Sequence, residues 1–408
     1  MPVTELGTSE RLLEELRGWV EHETPTTDAA AIDRLMDKAE AELRAVGAAV
    51  ERIPGVEGFG GHLLARTPGE GRPVLVAGHL DTVWDHGSLA RINPFRVEGE
   101  KAYGPGIYDM KAGSFFAFHS VREILRQKVK TRSPITLLLT SDEEVGSPTS
   151  RAIIEREAKR ACAVLIPEPA GGAEKCCVTA RKGVGRFVVK VEGKSAHAGG
   201  NWEEGASAIV TLARIITQIH ALVDLPGGTT TNCAPVWGGT RPNVIPNEAG
   251  CEVDFRVATS ADGRRVEAAV QAMAGPQPEG TSVTITGGMN RPPMEESPGG
   301  LALFEQARAI AGRLGYLLPK QHRGGGSDGN FTAALGVPTL DGLGCSGAGA
   351  HAEFEHILWR ELAPRCGTLC ELLETLGIEE GWGKEFPQTP IFFLRVPAPA
   401  AKAAPNRQ

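Results

Sequence analysis

Three times in the first half of the sequence a short apolar run ends in acids or a histidine, and between these runs apolar residues recur at helical spacing. The runs are 73–77, followed by Gly78-His79-Leu80-Asp81; 135–140, followed by Ser141-Asp142-Glu143-Glu144; and 161–166, followed by Pro167-Glu168-Pro169. Helical patterns cover 9–22, 28–46, 111–127 and 151–159. Such alternation predicts a mostly parallel sheet with helices on its faces. Open α/β sheets bind ligands at the carboxyl ends of their strands, so the polar clusters are expected to meet at one edge.

From about residue 185 the pattern changes to strand 185–192, helix 206–222, strands 229–237 and 249–257, helix 261–274 and strand 282–287. This βαββαβ order predicts a ferredoxin-like α+β unit. After Arg291-Pro292-Pro293, a helix over 299–314, the Gly324-Gly325-Gly326 turn, a strand at 337–340 and a helix over 358–376 return to the first pattern. The fold class expected is therefore an α/β/α catalytic domain built from 1–184 and 294–383, with a smaller domain, 185–293, inserted into it. A chain of 408 residues exceeds what one core usually fills. Residues 384–408, rich in proline and alanine, read as a tail without chemistry.

The net charge of −7 gives no cationic field for nucleic acid or an anionic membrane, so small-molecule chemistry is the better starting point. Residues 1–20 lack a secretory pattern and no run of about 18 apolar residues occurs, which predicts a soluble, cytoplasmic protein. The eight scattered cysteines read as reduced thiols, with Cys366 and Cys370 one helical turn apart among leucines in a buried apolar role.

Several polar residues carry chemistry only in company. His79 and Asp81 lie at i and i+2 on a strand end, where one can ligate a metal and the other orient it. Asp109, between a glycine-rich turn and a helix, reads equally as an N-cap or as a carboxylate able to bridge two ions. Glu143 and Glu144 point in different directions and can divide proton transfer from metal ligation. Glu168 is fixed between two prolines, and His351 ends the loop Gly347-Ala348-Gly349-Ala350 after another strand. Acids packed in a dry crevice repel one another unless cations neutralise them.

In order, the segments GHLDTV, GPGIYDMKAG, SDEEVGS, PEP, GKSAHAG, RPNVIP, DFRV, GGGSD and GAGAH resemble the M20 metallopeptidase family, within it the glutamate carboxypeptidase (carboxypeptidase G2-like) branch. The resemblance spans about 10–380. It implies two Zn²⁺ per chain (or Co²⁺ or Mn²⁺), one held by His79 and Glu168, the other by Glu144 and His351, with Asp109 bridging and Asp81 supporting His79. It implies a cis peptide at Asp109-Met110, Glu143 as general base, and His197 donating to the developing oxyanion. It further implies that Asn243 and Arg256 hold the substrate, Arg256 gripping its carboxylate, with Lys182, Arg323 and Gly326 as further contacts. A homodimer through the inserted domain is implied as well, with His197 and Asn243 acting in cis or in trans. Two departures stand at Lys111-Ala112-Gly113, where relatives often carry paired glycines, and at Ser327-Asp328-Gly329-Asn330. The activity implied is hydrolysis of N-acyl amino acids or small peptides next to a free carboxylate. N-acyl-amino-acid deacylation of acetylornithine or succinyl-diaminopimelate type, and an inactive relative that binds amino-acid derivatives, are the alternatives.

Overall fold

The computed structural model describes residues 5–377; the tail expected over 384–408 lies outside the described residues. The main sheet has six strands in the order Ala49–Ile53, His62–Arg66, Ile135–Thr140, Val74–His79, Ala163–Leu165 and Thr339–Leu340. The last four run parallel. The first two form an antiparallel hairpin that also joins the sheet antiparallel, so the sheet is mixed at one edge, which the sequence reading missed.

Val74–His79 and Ile135–Thr140 are buried along their whole length, as strands covered on both faces must be. Alternation divides their side chains between two cores. Val74, Val76, Leu137 and Leu139 pack with Leu12, Trp19, Ile32, Phe115 and Leu369 on one face. Leu75, Ala77 and Leu138 pack with Ile154, Ala158 and Phe331 on the other. Capping fixes where the first helices begin: Thr8 accepts from Arg11 N ahead of Ser9–Val20, and Asp28 from Ala31 N ahead of Ala29–Ala45. All eight cysteines are free, and Cys366 and Cys370 are buried in the first core.

A second, antiparallel sheet has the order Thr230–Gly238, Glu248–Val257, Gly183–Glu192, Ser282–Arg291 and Gly275–Pro276. Helices Ala208–His220 and Ser260–Gln271 cover one of its faces, with Leu212, Ile215, Val266 and Val270 against Phe187, Val189, Cys251 and Val253. Apart from the two-residue edge strand, this is the ferredoxin-like arrangement expected. Ser282–Arg291 runs four residues further than its apolar pattern predicts, and that extension carries Arg291 into the first unit.

A four-stranded sheet of Gly347–Ala348, His356–Leu358, Lys101–Tyr103 and Arg96–Glu98 was not foreseen. Its pairing of His356 with Tyr103 lays the loop after Ala348 beside the loop after Tyr103. His351 and Asp109, far apart in sequence, are thereby brought side by side.

Candidate metal centre

His79 closes its strand level with Thr140 of the neighbouring parallel strand, and its side chain is buried. Nδ1 lies 2.9 Å from the backbone oxygen of Asp81 and 3.4 Å from Asp81 Oδ1. A carbonyl only accepts, so Nδ1 carries a proton and Nε2 of a neutral ring keeps its lone pair. Nε2 is buried and has no hydrogen-bond partner. The nearer support for the ring is thus the Asp81 carbonyl, where the sequence reading had placed its carboxylate. That carboxylate also braces the strand end beside it, accepting from Thr26 Oγ1 at 2.9 Å and from the backbone N–H groups of Glu143 and Glu144 at 3.2 Å each.

Asp109 does not cap the following helix, which starts at Ala112 behind Lys111. Its peptide to Met110 is cis, as the resemblance implied. Oδ1 lies 3.6 Å from His79 Nε2 and Oδ2 lies 3.3 Å from His351 Nε2, so its two oxygens face two imidazoles. Glu168 Oε1 is 3.7 Å from His79 Nε2, and Glu144 Oε2 is 3.2 Å from His351 Nε2. Two half-sites result, His79 with Glu168 and His351 with Glu144, sharing Asp109. His351 adopts φ 62°, a left-handed conformation that residues other than glycine seldom take.

The electrostatics follow from crowding five carboxylates and two imidazoles together, of which the His351 ring alone is exposed. Burial pushes Glu143 up to about 8. Burial, joined by the charge of Asp109, lifts Glu168 well above the carboxylate range, and burial raises Glu144 as well. Hydrogen bonds to Asp109 and Glu144 raise His351 to about 10. Burial opposes protonation of His79, but Asp109 and Asp81 outweigh it and raise that ring well above its ordinary value. Burial likewise opposes ionisation of Asp109, yet the two imidazoles hold it below its usual range. Such groups hold protons that a cation would replace. Glu144 Oε1, like His79 Nε2, is buried without a hydrogen-bond partner. One ligand atom each from His79, Asp109 and Glu144 falls within 4.8 Å of the others. Imidazole and carboxylate donors of this kind suit Zn²⁺, Co²⁺ or Mn²⁺.

Glu143 stands beside this cluster, with Oε2 4.0 Å from His79 Nε2. Its Oε1 accepts from Arg291 Nη2 at 2.7 Å. The same nitrogen reaches Ser147 Oγ at 2.9 Å and Asp328 Oδ1 at 3.2 Å. Sequence reasoning missed Arg291 and Asp328: the first was read as part of a Pro-Pro connection and the second as a departure from a familiar pattern. In the sequence Arg291 stands four residues beyond the apolar run 282–287, which gave no signal for it.

The residues expected to hold substrate are not drawn into the cluster: among the described residues no hydrogen bond or ion pair joins His197, Asn243 or Arg256 to it. His197 and Asn243 lie together on the second unit, where Ala198 N donates to Asn243 O and His197 bridges to Val244. His197 Nδ1 accepts from Gly199 N and Gly200 N at 3.1 and 3.0 Å. The Arg256 fork is taken by Asp254, at 2.8 and 2.9 Å. Lys182 N donates to Arg323 O, so these two backbones meet beside the glycine turn. Gly326 sits where a Cβ would meet Arg291 Cδ at 2.9 Å and Val184 Cγ2 at 3.0 Å.

Residues 75–375 match the sequence profile of peptidase family M20/M25/M40. The chain belongs to that family. As an M20 enzyme it is a metallohydrolase. It is 32% identical over 349 residues to carboxypeptidase G2 of Pseudomonas sp. (strain RS-16), covering 84% of this chain and 83% of that one. It is 28% identical over 373 residues to the succinyl-diaminopimelate desuccinylase of Delftia acidovorans, covering 83% and 90%. The crystal structure of the aminopeptidase PepT from Bacillus cereus shares the M20 fold with a TM-score of 0.76 at 22% identity, over 90% of this chain and 99% of that one.

Proposed function

We propose that this M20 enzyme uses two zinc ions, or cobalt or manganese in their place, to hydrolyse the amide that joins an acyl group or peptide to an amino acid with a free carboxylate. The observation that carries this reading is the paired half-site, two imidazole–carboxylate sets turned toward opposite oxygens of Asp109. Bound there, zinc supplies Lewis-acid polarisation and lowers the pKa of water from about 15.7 to about 7. Glu143, beside the cluster and not within either half-site, takes the proton of the attacking water and returns it to the leaving nitrogen. Arg291 holds the other Glu143 oxygen, which fixes the direction in which the carboxylate faces.

His197 serves the developing oxyanion, Asn243 holds the substrate and Arg256 grips its free carboxylate, delivered by closure of the second unit or by a neighbouring copy. A second copy is supported by the edge strand Thr230–Gly238, which leaves Val236 and Trp237 exposed beside an unpaired backbone. Among the described residues no helix is long and apolar enough to cross a membrane. Likeness over 90% of a desuccinylase favours, as a second reading, deacylation of N-acyl amino acids. An inactive binder fits less well, because Glu143 stands in place beside the cluster.

Glu143→Gln is the test. It should keep two zinc ions per chain while kcat falls by about 10²- to 10⁴-fold on a panel of N-acyl amino acids and dipeptides. Near-normal turnover would remove Glu143 from its role. The panel also separates the two readings, since a carboxypeptidase tolerates varied acyl groups where a deacylase demands one.

A further inference from the structure

We infer that Glu355 is the positioning residue that fixes the Asp109 arm of the metal centre against the His351 arm, an inference that rests on the reading of the centre given above. Glu355 is fully buried, four residues after His351, in the loop between strands Gly347–Ala348 and His356–Leu358. Its Oε1 accepts from Tyr108 N at 2.8 Å and from Asp109 N at 3.0 Å. Its Oε2 accepts from Gly106 N at 2.9 Å and from Trp84 Nε1 at 2.6 Å. An ionised carboxylate is acceptor-only, with about four lone-pair sites. Four donors meet it here, so the match is complete.

The need for such an acceptor comes from the Asp109 loop. Residues 106–109 lie ahead of the helix Ala112–Arg126, and backbone N–H groups buried away from water must find partners. The Glu355 backbone adds to the same tie, since its carbonyl accepts from Asn93 Nδ2 at 2.9 Å and Gly104 N at 3.4 Å. One residue thus joins three segments: the chain after Asp81 through Trp84, the Asp109 loop, and the loop that carries His351. The separation of His351 Nε2 from Asp109 Oδ2, 3.3 Å, is spanned by this short connection of four residues and two hydrogen bonds. A glutamine of the same length has one acceptor oxygen and turns an NH₂ group toward two of the four donors, so it fills the space without holding the loop.

The experiment compares full-length wild type, Glu355→Gln, Glu355→Asp, His351→Ala and Glu123→Gln. Zinc affinity is measured by competition with a chelator, and amide hydrogen exchange over 104–110 is followed in the metal-free protein. Glu123 is a buried carboxylate paired with Arg126 on the helix Ala112–Arg126, and it controls for general loss of stability. Glu355→Gln should weaken zinc binding by about 10- to 100-fold, the usual effect of losing support around a ligand, and speed exchange at 106–109. Glu355→Asp, which keeps the charge, should recover part of both, and it carries the test if the glutamine variant does not fold. Glu123→Gln should leave both unchanged. Wild-type affinity and exchange in Glu355→Gln, with zinc lost in His351→Ala, overturns the role of Glu355 alone. Wild-type affinity in both Glu355→Gln and His351→Ala overturns the metal centre with it.

Discussion

Asp81→Asn asks whether the catalytic strand end is held from within. The Asp81 carboxylate is fully buried and accepts from Thr26 Oγ1 and from the backbone N–H groups of Glu143 and Glu144. Asparagine has the same shape but keeps one acceptor oxygen and presents a donor where the other stood. The Thr26 hydroxyl can turn to accept from that donor; a backbone N–H cannot. One of the Glu143 and Glu144 amides is therefore left facing a donor whichever way the new side chain turns. A hydrogen bond to a charged group contributes about 1.5–3 kcal/mol, and that is the expected loss in urea unfolding. His79 should stay in place, because its Nδ1 is closer to the Asp81 carbonyl, at 2.9 Å, than to the carboxylate, at 3.4 Å. Zinc at saturation should remain at two per chain, while kcat/KM for N-acyl amino acids falls by about 10- to 100-fold as Glu143 and Glu144 shift. A variant with wild-type kcat/KM and an unfolding free energy within about 0.5 kcal/mol of wild type would show that the Asp81 carboxylate does not hold this strand end.

Gly113→Ala should destabilise the fold and disturb Glu168, since a Cβ there would meet the Pro167 carbonyl oxygen at 1.7 Å; a variant as stable and active as wild type would show that the strand end has room to move. Glu15 is held down at about 2, chiefly by its hydrogen bond to His119 and then by Arg122, against the opposing effect of burial. A depressed acid stabilises the fold above its ordinary pKa of 4.5 and loses that contribution as pH falls toward 2, so the stability gap between wild type and Glu15→Gln should close across that window. A gap independent of pH would contradict this. Wild type should give a dimer's mass in light scattering and Val236→Asp, on the exposed edge strand, a monomer's; a monomeric wild type, or a dimeric variant, would contradict pairing there.

Much of this architecture is legible in the sequence for one reason: strands buried on both faces leave unbroken apolar runs, and Val74–His79 and Ile135–Thr140 have them. The hairpin strands Ala49–Ile53 and His62–Arg66 escaped because Ala49–Ile53 is half exposed at a sheet edge and interrupted by charge at Glu51 and Arg52. Strands of two or three residues, such as Gly347–Ala348 and His356–Leu358, are too short to show a period, although they set the distance between His351 and Asp109. Acids and histidines at successive strand ends show in the sequence, but each alone reads as an ordinary loop or cap residue, and their division into ligands and base was implied by the resemblance. Arg291 and Glu355 were not legible, since their roles lie in which backbone amides and carboxylates surround them after folding. Arg256 shows the converse: the sequence suggests a free fork, and the structure occupies it with Asp254. The Lys111-Ala112-Gly113 departure is also clearer in three dimensions, for Gly113 stands where the backbone of Pro167 leaves no space.

We propose that His79, Asp109, Glu144, Glu168 and His351 hold two catalytic cations, and metal content measured together with activity decides whether they do. Protein purified, dialysed and analysed by elemental mass spectrometry should carry two zinc equivalents per chain. Chelation should abolish hydrolysis of N-acyl amino acids, and zinc should restore it in proportion to occupancy up to two equivalents. Full activity in protein shown to be metal-free would take the cations out of the reaction.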